Sequence, residues 1–410
     1  MSVQVPELSY TNERREETRV LIVGLGVAGA YLACLLSLRG IRVEACDARN
    51  APWHFVVCGE MVPDPEMLRG KIPSSLFRYL VLTHQEIVRR THILRTYDYL
   101  RIVVLDHEFY VPFKAHLIDK SRLIHELIAE AEQHVDMKFN TSVIKCRLSK
   151  TCVHVTLVED GRPREDKYDI VIGADSFPSV CYTDDIWRWL NDTNYLTVTC
   201  VAYRASVYGI DTSCPTIIID PRIAPGGYAW IFPRSGNEAN VGLGFATDYC
   251  QDVKKYLENF NRKYILKPLS RVASKTLPMD GLMLRVGIER MLLVGDAGGF
   301  VVPTNGAGIN PAMISSLLAY EADLDSRKYD TYAWRVFGKY SRKLAELRRC
   351  IDPLLRSVDR LERALRLVLS HKLSGQLLMS MLTSLLMGYF RVFDRIMYAS
   401  LRIVSKALAL

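Results

Sequence analysis

The segment RVLIVGLGVAG at residues 19–29 shows what kind of domain this chain begins with, because an apolar run leads directly into a Gly-x-Gly-x-x-Gly turn. We expect Val20–Val23 to form a buried strand, Ala28–Leu38 a helix and Ile41–Cys46 a second strand. A glycine turn in this strand–turn–helix–strand order is typical of dinucleotide binding. The sequence therefore predicts a Rossmann-like unit, and a purely structural glycine turn is the alternative.

Each glycine of this turn has a physical role in that prediction. Gly24 permits the tight turn, Gly26 lets the backbone approach a pyrophosphate, and Gly29 lets the helix pack close to the strand. The start of the helix then offers free N–H groups and a partial positive charge to phosphates. Asp47 follows at close to the spacing, about 20 residues, of an acid that binds ribose hydroxyls.

A second glycine-rich turn occurs late in the chain, in MLLVGDAGGFVVPTNGAGI at residues 291–309. A buried strand is expected to run into Asp296, whose carboxylate can accept hydrogen bonds from a ribityl chain. Gly308 and Ile309 open a helix whose N–H groups can face the pyrimidine edge of an isoalloxazine. Asp296 could instead be an ordinary turn or capping residue. The two turns together predict that the cofactor is FAD.

The amino-acid composition limits which classes of protein this chain can belong to. The chain has 410 residues, 49% of them hydrophobic, which is enough for a large core and more than one subdomain. Its ten cysteines are irregularly spaced without a Cys-x-x-Cys pair, so we expect no metal site and reduced thiols. The polar start at residues 1–18 does not resemble a secretory signal, so we expect a cytoplasmic protein.

Positive charge is concentrated at the C-terminal end. Residues 331–410 hold 15 Lys and Arg against 5 Asp and Glu, whereas the whole chain has a net charge of only +8. We expect a basic amphipathic helical region there, with Pro353 as a kink or break. From Arg391 onward a basic stripe faces an apolar one, which favours a membrane surface over internal or subunit packing and over a spanning helix. The basic region lacks the interleaved aromatic residues of a nucleic-acid site, so no nucleic-acid partner is expected.

The expected fold class is α/β: a Rossmann-like FAD-binding domain interleaved with an antiparallel β-sheet substrate domain, plus a helical C-terminal region. Residues 197–245 are rich in β-formers and turns, which predicts the antiparallel sheet. The predicted parts are 18–70, 105–185 and 275–330 for the FAD-binding domain, 71–104 and 186–274 for the substrate domain, and 331–410 for the C-terminal region.

Five motifs in this order resemble the geranylgeranyl reductase family of FAD-dependent oxidoreductases. They are GLGVAG at 24–29, Cys58-Gly59-Glu60, GAD at 173–175, PGGYAWIFPRSGNEANVGLG at 225–244 and GDAGGFVVPTNGAGI at 295–309. Members of this family are related to aromatic hydroxylases and saturate isoprenoid chains, and the archaeal ones reduce the digeranylgeranyl chains of glycerophospholipids. The resemblance covers roughly residues 18–330, and the stretch at 225–244 is its most specific part.

The resemblance implies a set of cofactor contacts. Gly29 and Asp47 would serve the adenosine half, with Val143 near the adenine. Lys120 stands where the family usually has arginine, and Arg122 is a possible substitute. The contacts expected at the flavin half are Cys58, Gly59, Asp296, Gly308 and Ile309.

The resemblance also implies substrate contacts and a reaction. Tyr228, Trp230, Phe232 and Met61 would line the substrate cavity, and Met61 departs from the glycine usual at its position. Reduced flavin would deliver hydride to an isoprenoid double bond, with Cys58 or Tyr228 as the candidate catalytic group. An ordinary buried cysteine and an ordinary cavity wall are the alternatives for these two residues.

Three readings of the function remain open at this point. The first is the isoprenoid reductase, with a prenyl lipid as substrate, NAD(P)H or a ferredoxin as electron donor, and a peripheral position at the inner face of the cell membrane. The others are a flavin-dependent monooxygenase or epoxidase of the same fold, and a non-catalytic flavoprotein.

Overall fold

The computed structural model describes residues 18–39, 41–50, 57–185 and 196–369 of the chain. A six-stranded sheet forms one layer, and its strands are parallel apart from the edge pair β17–β18. In spatial order they are β17 (Gly287–Ile288), β18 (Met291–Leu293), β10 (Ile170–Gly173), β1 (Val20–Val23), β2 (Val43–Cys46) and β6 (Val135–Lys138). The predicted α/β class and its first strand are confirmed.

A nine-stranded sheet forms the second layer. Its strands are β15 (Lys267–Pro268), β11 (Thr197–Ser206), β14 (Glu238–Ala246), β13 (Tyr228–Pro233), β12 (Thr216–Ile219), β4 (Ile93–Val104), β5 (His107–Ile118) and β3 (Met61–Pro63), with β16 (Ala273–Pro278) paired to β11. All neighbours are antiparallel except β12 and β4. The antiparallel sheet expected from residues 197–245 is therefore present and larger than expected.

Helices and a small third sheet complete the described part. The third sheet holds β7 (Thr141–Leu148), β8 (Val153–Glu159) and β9 (Arg162–Tyr168). The helices are α1 (Val27–Ser37), α2 (Ser74–Arg90), α3 (Lys120–Ala131), α4 (Val253–Lys263), α5 (Ile309–Glu321), α6 (Ser326–Ala333), α7 (Lys339–Leu355) and α8 (Val358–Leu369), with a π-helical turn at Trp334–Gly338.

Helices α1 and α5 begin at the two glycine-rich turns and pack against each other within the main hydrophobic core. Small residues at the start of α1 permit this approach, since the Ser316 hydroxyl donates to the Ala28 carbonyl at 2.8 Å. The two turns, about 280 residues apart in sequence, therefore lie side by side.

Two strands that the predicted domain division places in the FAD-binding domain pair outside the six-stranded sheet. The segments 61–63 and 107–118 were assigned to the FAD-binding domain, but both belong to the nine-stranded sheet. The reason is pairing: β5 is the hairpin partner of β4, and β3 pairs with β5. The division of the rest of the chain into domains stays a prediction.

The C-terminal region is helical as far as it is described. Pro353 lies inside α7, which ends two residues later at Leu355, so the expected break comes slightly after the proline. The basic stripe predicted from Arg391 onward lies outside the described residues. Within the described ranges, no helix has both the length and the apolar character needed to cross a bilayer.

Candidate cofactor and substrate site

A cavity of about 750 Å³ lies where the carboxyl ends of β1, β2, β10 and β18 meet the nine-stranded sheet. Its volume is within the range of about 300–1,000 Å³ usual for ligand sites. The predicted residues that line it are Gly24, Gly26, Asp47, Cys58, Gly59, Lys120, Val143, Tyr228, Trp230, Phe232, Asp296, Gly308 and Ile309. The structure therefore brings most predicted contacts to one cavity.

Three predicted residues lie elsewhere. Gly29 is buried under the first turn rather than on the cavity wall, because a Cβ there would stand 1.9 Å from the Gly24 carbonyl oxygen. Arg122 extends along α3 to Glu126, with an N–O distance of 3.4 Å, so Lys120 is the cation of this helix at the cavity. Met61 lines a second, adjoining cavity.

The first glycine turn leaves the backbone open to the cavity. Gly24 has a φ of +96°, and a Cβ on it would meet the Ala174 carbonyl at 2.7 Å. A Cβ on Gly26, in contrast, would meet no atom within 4 Å, because it would project into the cavity. The start of α1 has no side-chain cap, so its N–H groups are available to a phosphate.

Asp47 is buried beside this turn and is already well bonded. Its carboxylate accepts a hydrogen bond from the Leu25 N–H at 2.8 Å and bonds at 2.7 and 2.6 Å from the Arg49 guanidinium. Burial alone would raise the pKa of Asp47, but the Arg49 bonds and charge outweigh it and hold the pKa below its ordinary value. A ribose at this carboxylate therefore has to share it with Arg49.

Several buried polar atoms on the cavity wall have no hydrogen-bond partner within the described ranges. They are the Asp175 Oδ1, the Ser176 Oγ and the Thr304 Oγ1 atoms. Burial raises the pKa of Asp175 to about 6. Because unpartnered buried polar atoms are costly, these three atoms fit a polar ligand that would satisfy them.

The second turn places an acid and a cation together. A Cβ on Gly308, at the uncapped start of α5, would lie 3.2 Å from the Asp296 Oδ1, so the carboxylate stands over the helix N-terminus. Lys275, on β16, forms an ion pair with Asp296. No sequence motif pointed to this lysine.

The Cys58-Gly59-Glu60 loop is held by a buried polar network. Glu60 has a φ of +59° and accepts hydrogen bonds from Arg234 at 2.5 Å and Asn240 at 3.0 Å. Asn240 also donates to the Cys58 carbonyl at 2.8 Å, and the Glu60 N–H donates to the Cys58 sulfur at 3.2 Å. The network therefore fixes this loop against the nine-stranded sheet.

A row of aromatic rings forms the opposite wall. Tyr228, Trp230 and Phe232 alternate along β13, so their side chains share one face, with neighbouring ring centroids 6.2 and 6.3 Å apart. Gly59 fits against this row because a Cβ on it would stand 2.7 Å from Phe232. The loop and the rings thus enclose a narrow apolar space.

A second cavity of about 170 Å³ adjoins this space. It shares Cys58 and Tyr228 with the larger cavity, and Met61 lies on its wall. The remaining wall is mainly apolar and includes Leu76, Leu80, Phe113, Ile217 and Ile314. Cys58 and Tyr228 thus stand between the larger cavity and an adjoining apolar extension.

The two candidate catalytic side chains differ in what they contact. The Tyr228 hydroxyl donates its proton to the Asn305 carbonyl, and burial raises its pKa. The Cys58 sulfur accepts a backbone N–H, which leaves its S–H free to point elsewhere. Among the contacts of the described residues, only the Tyr228 proton is thus already donated, and the Cys58 proton is not.

Sequence reasoning missed several residues of this site. Arg49 could have been suspected from its place two residues after Asp47, and Asp175 from the GAD motif. Lys275 and Cys200 face each other across β11 and β16, and no local pattern indicates that register.

Comparison with known proteins agrees with the resemblance that the motifs indicated. A model of the geranylgeranyl reductase catalytic domain matches residues 197–277. Digeranylgeranylglycerophospholipid reductase 1 of Methanococcoides burtonii is 25% identical over 349 residues, which cover 80% of this chain and 80% of the relative.

Solved structures show the same architecture. A geranylgeranyl bacteriochlorophyll reductase-like protein from Thermoplasma acidophilum superposes with a TM-score of 0.66 at 18% identity, covering 83% of this chain and 94% of that one. A probable FAD-dependent monooxygenase from Pseudomonas aeruginosa superposes with a TM-score of 0.58 at 18% identity, covering 83% and 97%.

The fold is therefore that of the FAD-dependent reductases and monooxygenases. The catalytic-domain match lies on the strands that carry the aromatic row, and the relative aligns over most of the chain. The resemblance to the geranylgeranyl reductase family that the motifs predicted is therefore confirmed over most of the chain.

Proposed function

We propose that this protein is an FAD-dependent reductase that saturates isoprenoid double bonds in geranylgeranyl chains of archaeal-type membrane lipid precursors. The observation that carries the proposal is that a cavity with dinucleotide features and a smaller, mainly apolar cavity lie side by side and share Cys58 and Tyr228 in their walls. The named relative supports the substrate class.

The residues present fit FAD. The open Gly26 backbone and the uncapped start of α1 suit a pyrophosphate, while Asp47 and Val143 would hold the adenosine half. Asp296 and the start of α5 would hold the ribityl chain and the pyrimidine edge. Polar atoms of Asp175, Ser176 and Thr304, which have no hydrogen-bond partner among the described residues, favour a polar occupant of this cavity.

Bound FAD in its reduced form supplies a hydride. An isolated alkene accepts hydride poorly, so a proton must reach the other carbon at nearly the same time. Cys58 is the better placed donor, because the Tyr228 proton is held by the Asn305 carbonyl. Glu60, Arg234 and Asn240 would act indirectly, by holding the Cys58 loop in position.

The substrate would enter the apolar extension with its isoprenoid chain. The rings of Tyr228, Trp230 and Phe232 provide a flat apolar wall for an alkene, and they exclude water from it. Met61, on the wall of the extension, would contact the chain beyond the reacting bond.

A peripheral position on an anionic membrane is part of this proposal. It is supported by the concentration of Lys and Arg in residues 331–410 and by the lipid character of the substrate. NAD(P)H or a ferredoxin would supply the electrons. Binding to anionic against neutral vesicles tests the membrane contact, and a truncation after residue 369 tests whether the tail carries it.

One anaerobic experiment tests the enzymatic proposal. The purified protein is reduced with dithionite, mixed with digeranylgeranyl glycerophospholipid, and followed by its visible spectrum and by mass spectrometry of the lipid. The expected result is flavin reoxidation with a gain of about two mass units per turnover, the mass of the added hydride and proton. Protein that stays reduced until oxygen is admitted would contradict the reductase and favour a monooxygenase or a non-catalytic flavoprotein.

A further inference from the structure

Lys275 is a partly buried cation on the wall of the large cavity, and the proposed reaction has not used it. It lies on β16 directly opposite Cys200 of β11, and its ammonium contacts the Asp296 carboxylate. Its side chain is 29% exposed, and Lys275 lines the large cavity together with Cys58. The ammonium is therefore presented to whatever occupies the cavity.

The net charge beside the start of α5 depends on Lys275. Burial alone would lower the pKa of Lys275, but the charge of Asp296 outweighs it and raises the pKa, so the side chain stays cationic. Without the lysine, the Asp296 carboxylate would stand beside the start of α5 with no cation from the described ranges on it. A ligand that becomes more negative on reduction would then meet an uncompensated carboxylate.

We propose that Lys275 tunes the bound flavin: its ammonium stabilises the reduced, anionic form and so raises the midpoint potential. The inference rests on the proposed FAD site and adds a residue to it. Opposite charges a few ångströms apart in a partly buried site interact strongly, and a cation near the flavin ring is a known way for a protein to tune its potential. Lys275 would thus complement the partial positive charge at the start of α5.

The test removes or keeps the positive charge at position 275 and measures both FAD binding and the midpoint potential of the flavin. Lys275→Met removes the ammonium but keeps much of the apolar stem, and Lys275→Arg keeps the charge. Lys267→Met, on the exposed strand β15 of the same sheet, is the matched control. Each protein is titrated with oxidised FAD, and its midpoint potential is then measured anaerobically against reference dyes.

We expect Lys275→Met to lower the preference for reduced over oxidised FAD by about tenfold or more, seen as a negative shift in midpoint potential. Lys275→Arg and Lys267→Met should retain the wild-type potential. An unchanged potential in Lys275→Met would overturn the inference, whether FAD affinity falls or not, because the lysine would then only bind or pack. Failure of the wild-type protein to bind FAD would instead overturn the proposed function.

Discussion

The Glu60 carboxylate accepts a hydrogen bond from the Arg234 guanidinium at 2.5 Å, and their side chains are only 2% and 9% exposed. The two residues are 174 positions apart, so the pair joins the Cys58 loop to the end of β13. An ion pair this deeply buried is sensitive to the loss of either partner, although the Arg234 guanidinium would keep a weaker contact with Glu238, 3.5 Å from its Nε.

Glu60→Ala should therefore reduce the free energy of unfolding by about 3–5 kcal/mol, as measured by urea denaturation. Replacing both partners, in Glu60→Met with Arg234→Met, should cost less than the sum of the single changes, because no buried charge is left unpaired. Glu362→Ala, which breaks the exposed Glu362–Arg366 pair, is the control and should change little. Equal effects of Glu60→Ala and the control would show that the buried pair does not hold the loop.

Two glycines of the first turn should separate folding from cofactor binding. Gly26→Ala adds a methyl that projects into open space, at a φ of −73° that alanine adopts freely, so stability should change by less than about 0.5 kcal/mol. FAD affinity should nevertheless fall at least tenfold, about 1.4 kcal/mol, because the methyl blocks the approach of the pyrophosphate. Calorimetric titration and urea denaturation measure the two effects.

Gly29→Ala is the counterpart, because its Cβ would stand 1.9 Å from the Gly24 carbonyl oxygen. It should destabilise the fold by about 3 kcal/mol or more. If Gly26→Ala bound FAD as tightly as the wild type, the first turn would not be the phosphate site.

The parts of the fold and of the site that the sequence could predict are those that depend on neighbouring residues in the chain. The β1–α1–β2 unit and the second turn were predictable because glycine spacing and apolar runs act within about 30 residues. Strand register between distant segments brings Glu60 to Arg234 and places Lys275 opposite Cys200. No spacing rule reports such a register, so these site residues were found only in the structure.

The sheet to which β5 belongs could not be predicted for the same reason. The run at 107–118 is a recognisable strand in either sheet, and only its hairpin pairing with β4 assigns it to the nine-stranded one. Similarly, the sequence predicts Asp47 as a ribose ligand, whereas its hydrogen bonds to Arg49 are seen only in the structure.

The proton donor can be identified by comparing two variants. Cys58→Ala should lower the rate of flavin reoxidation by lipid about 100-fold, the lower end of what a positioned acid contributes. Tyr228→Phe should lower it less than about tenfold, because its proton is bonded to the Asn305 carbonyl in the wild type. Single-turnover stopped-flow measurements check both rates.

Cys250→Ala, at an exposed cysteine, is the control and should leave the rate unchanged. FAD content is measured in every variant, so that loss of cofactor is not mistaken for loss of chemistry. A larger effect of Tyr228→Phe than of Cys58→Ala would assign the proton to the tyrosine.

His84 should make the fold sensitive to mild acid. Burial and the nearby His116, whose ring centroid is 5.6 Å away, lower the pKa of His84 below 6.5. The unfolded chain therefore binds a proton more readily, and stability should fall as pH decreases from above 6.5 towards the lowered pKa. Urea denaturation between pH 7.5 and 5.5, roughly one unit either side of the ordinary histidine value, measures this slope.

His84→Gln removes this titration and should reduce the slope to the part that His116 contributes, since burial lowers the pKa of His116 as well. His134→Gln, at an exposed histidine, should leave the slope unchanged. An unaltered slope in His84→Gln would mean that other groups cause the acid sensitivity.

Met61 offers a test of where the isoprenoid chain lies. It is on the wall of the 170 Å³ extension, beyond the Cys58 and Tyr228 junction, so a larger side chain there should shorten the apolar space. Met61→Trp should lower kcat/KM for a geranylgeranyl lipid about tenfold while leaving a lipid with shorter geranyl chains nearly unaffected. Met61→Leu, which nearly conserves volume, should behave as the wild type with both lipids. Both lipids react at the same flavin, so a loss of FAD or of folded protein lowers both kcat/KM values equally. The ratio of the two kcat/KM values is therefore unaffected by such a loss. An equal fall with both lipids would mean that the chain does not extend past Met61.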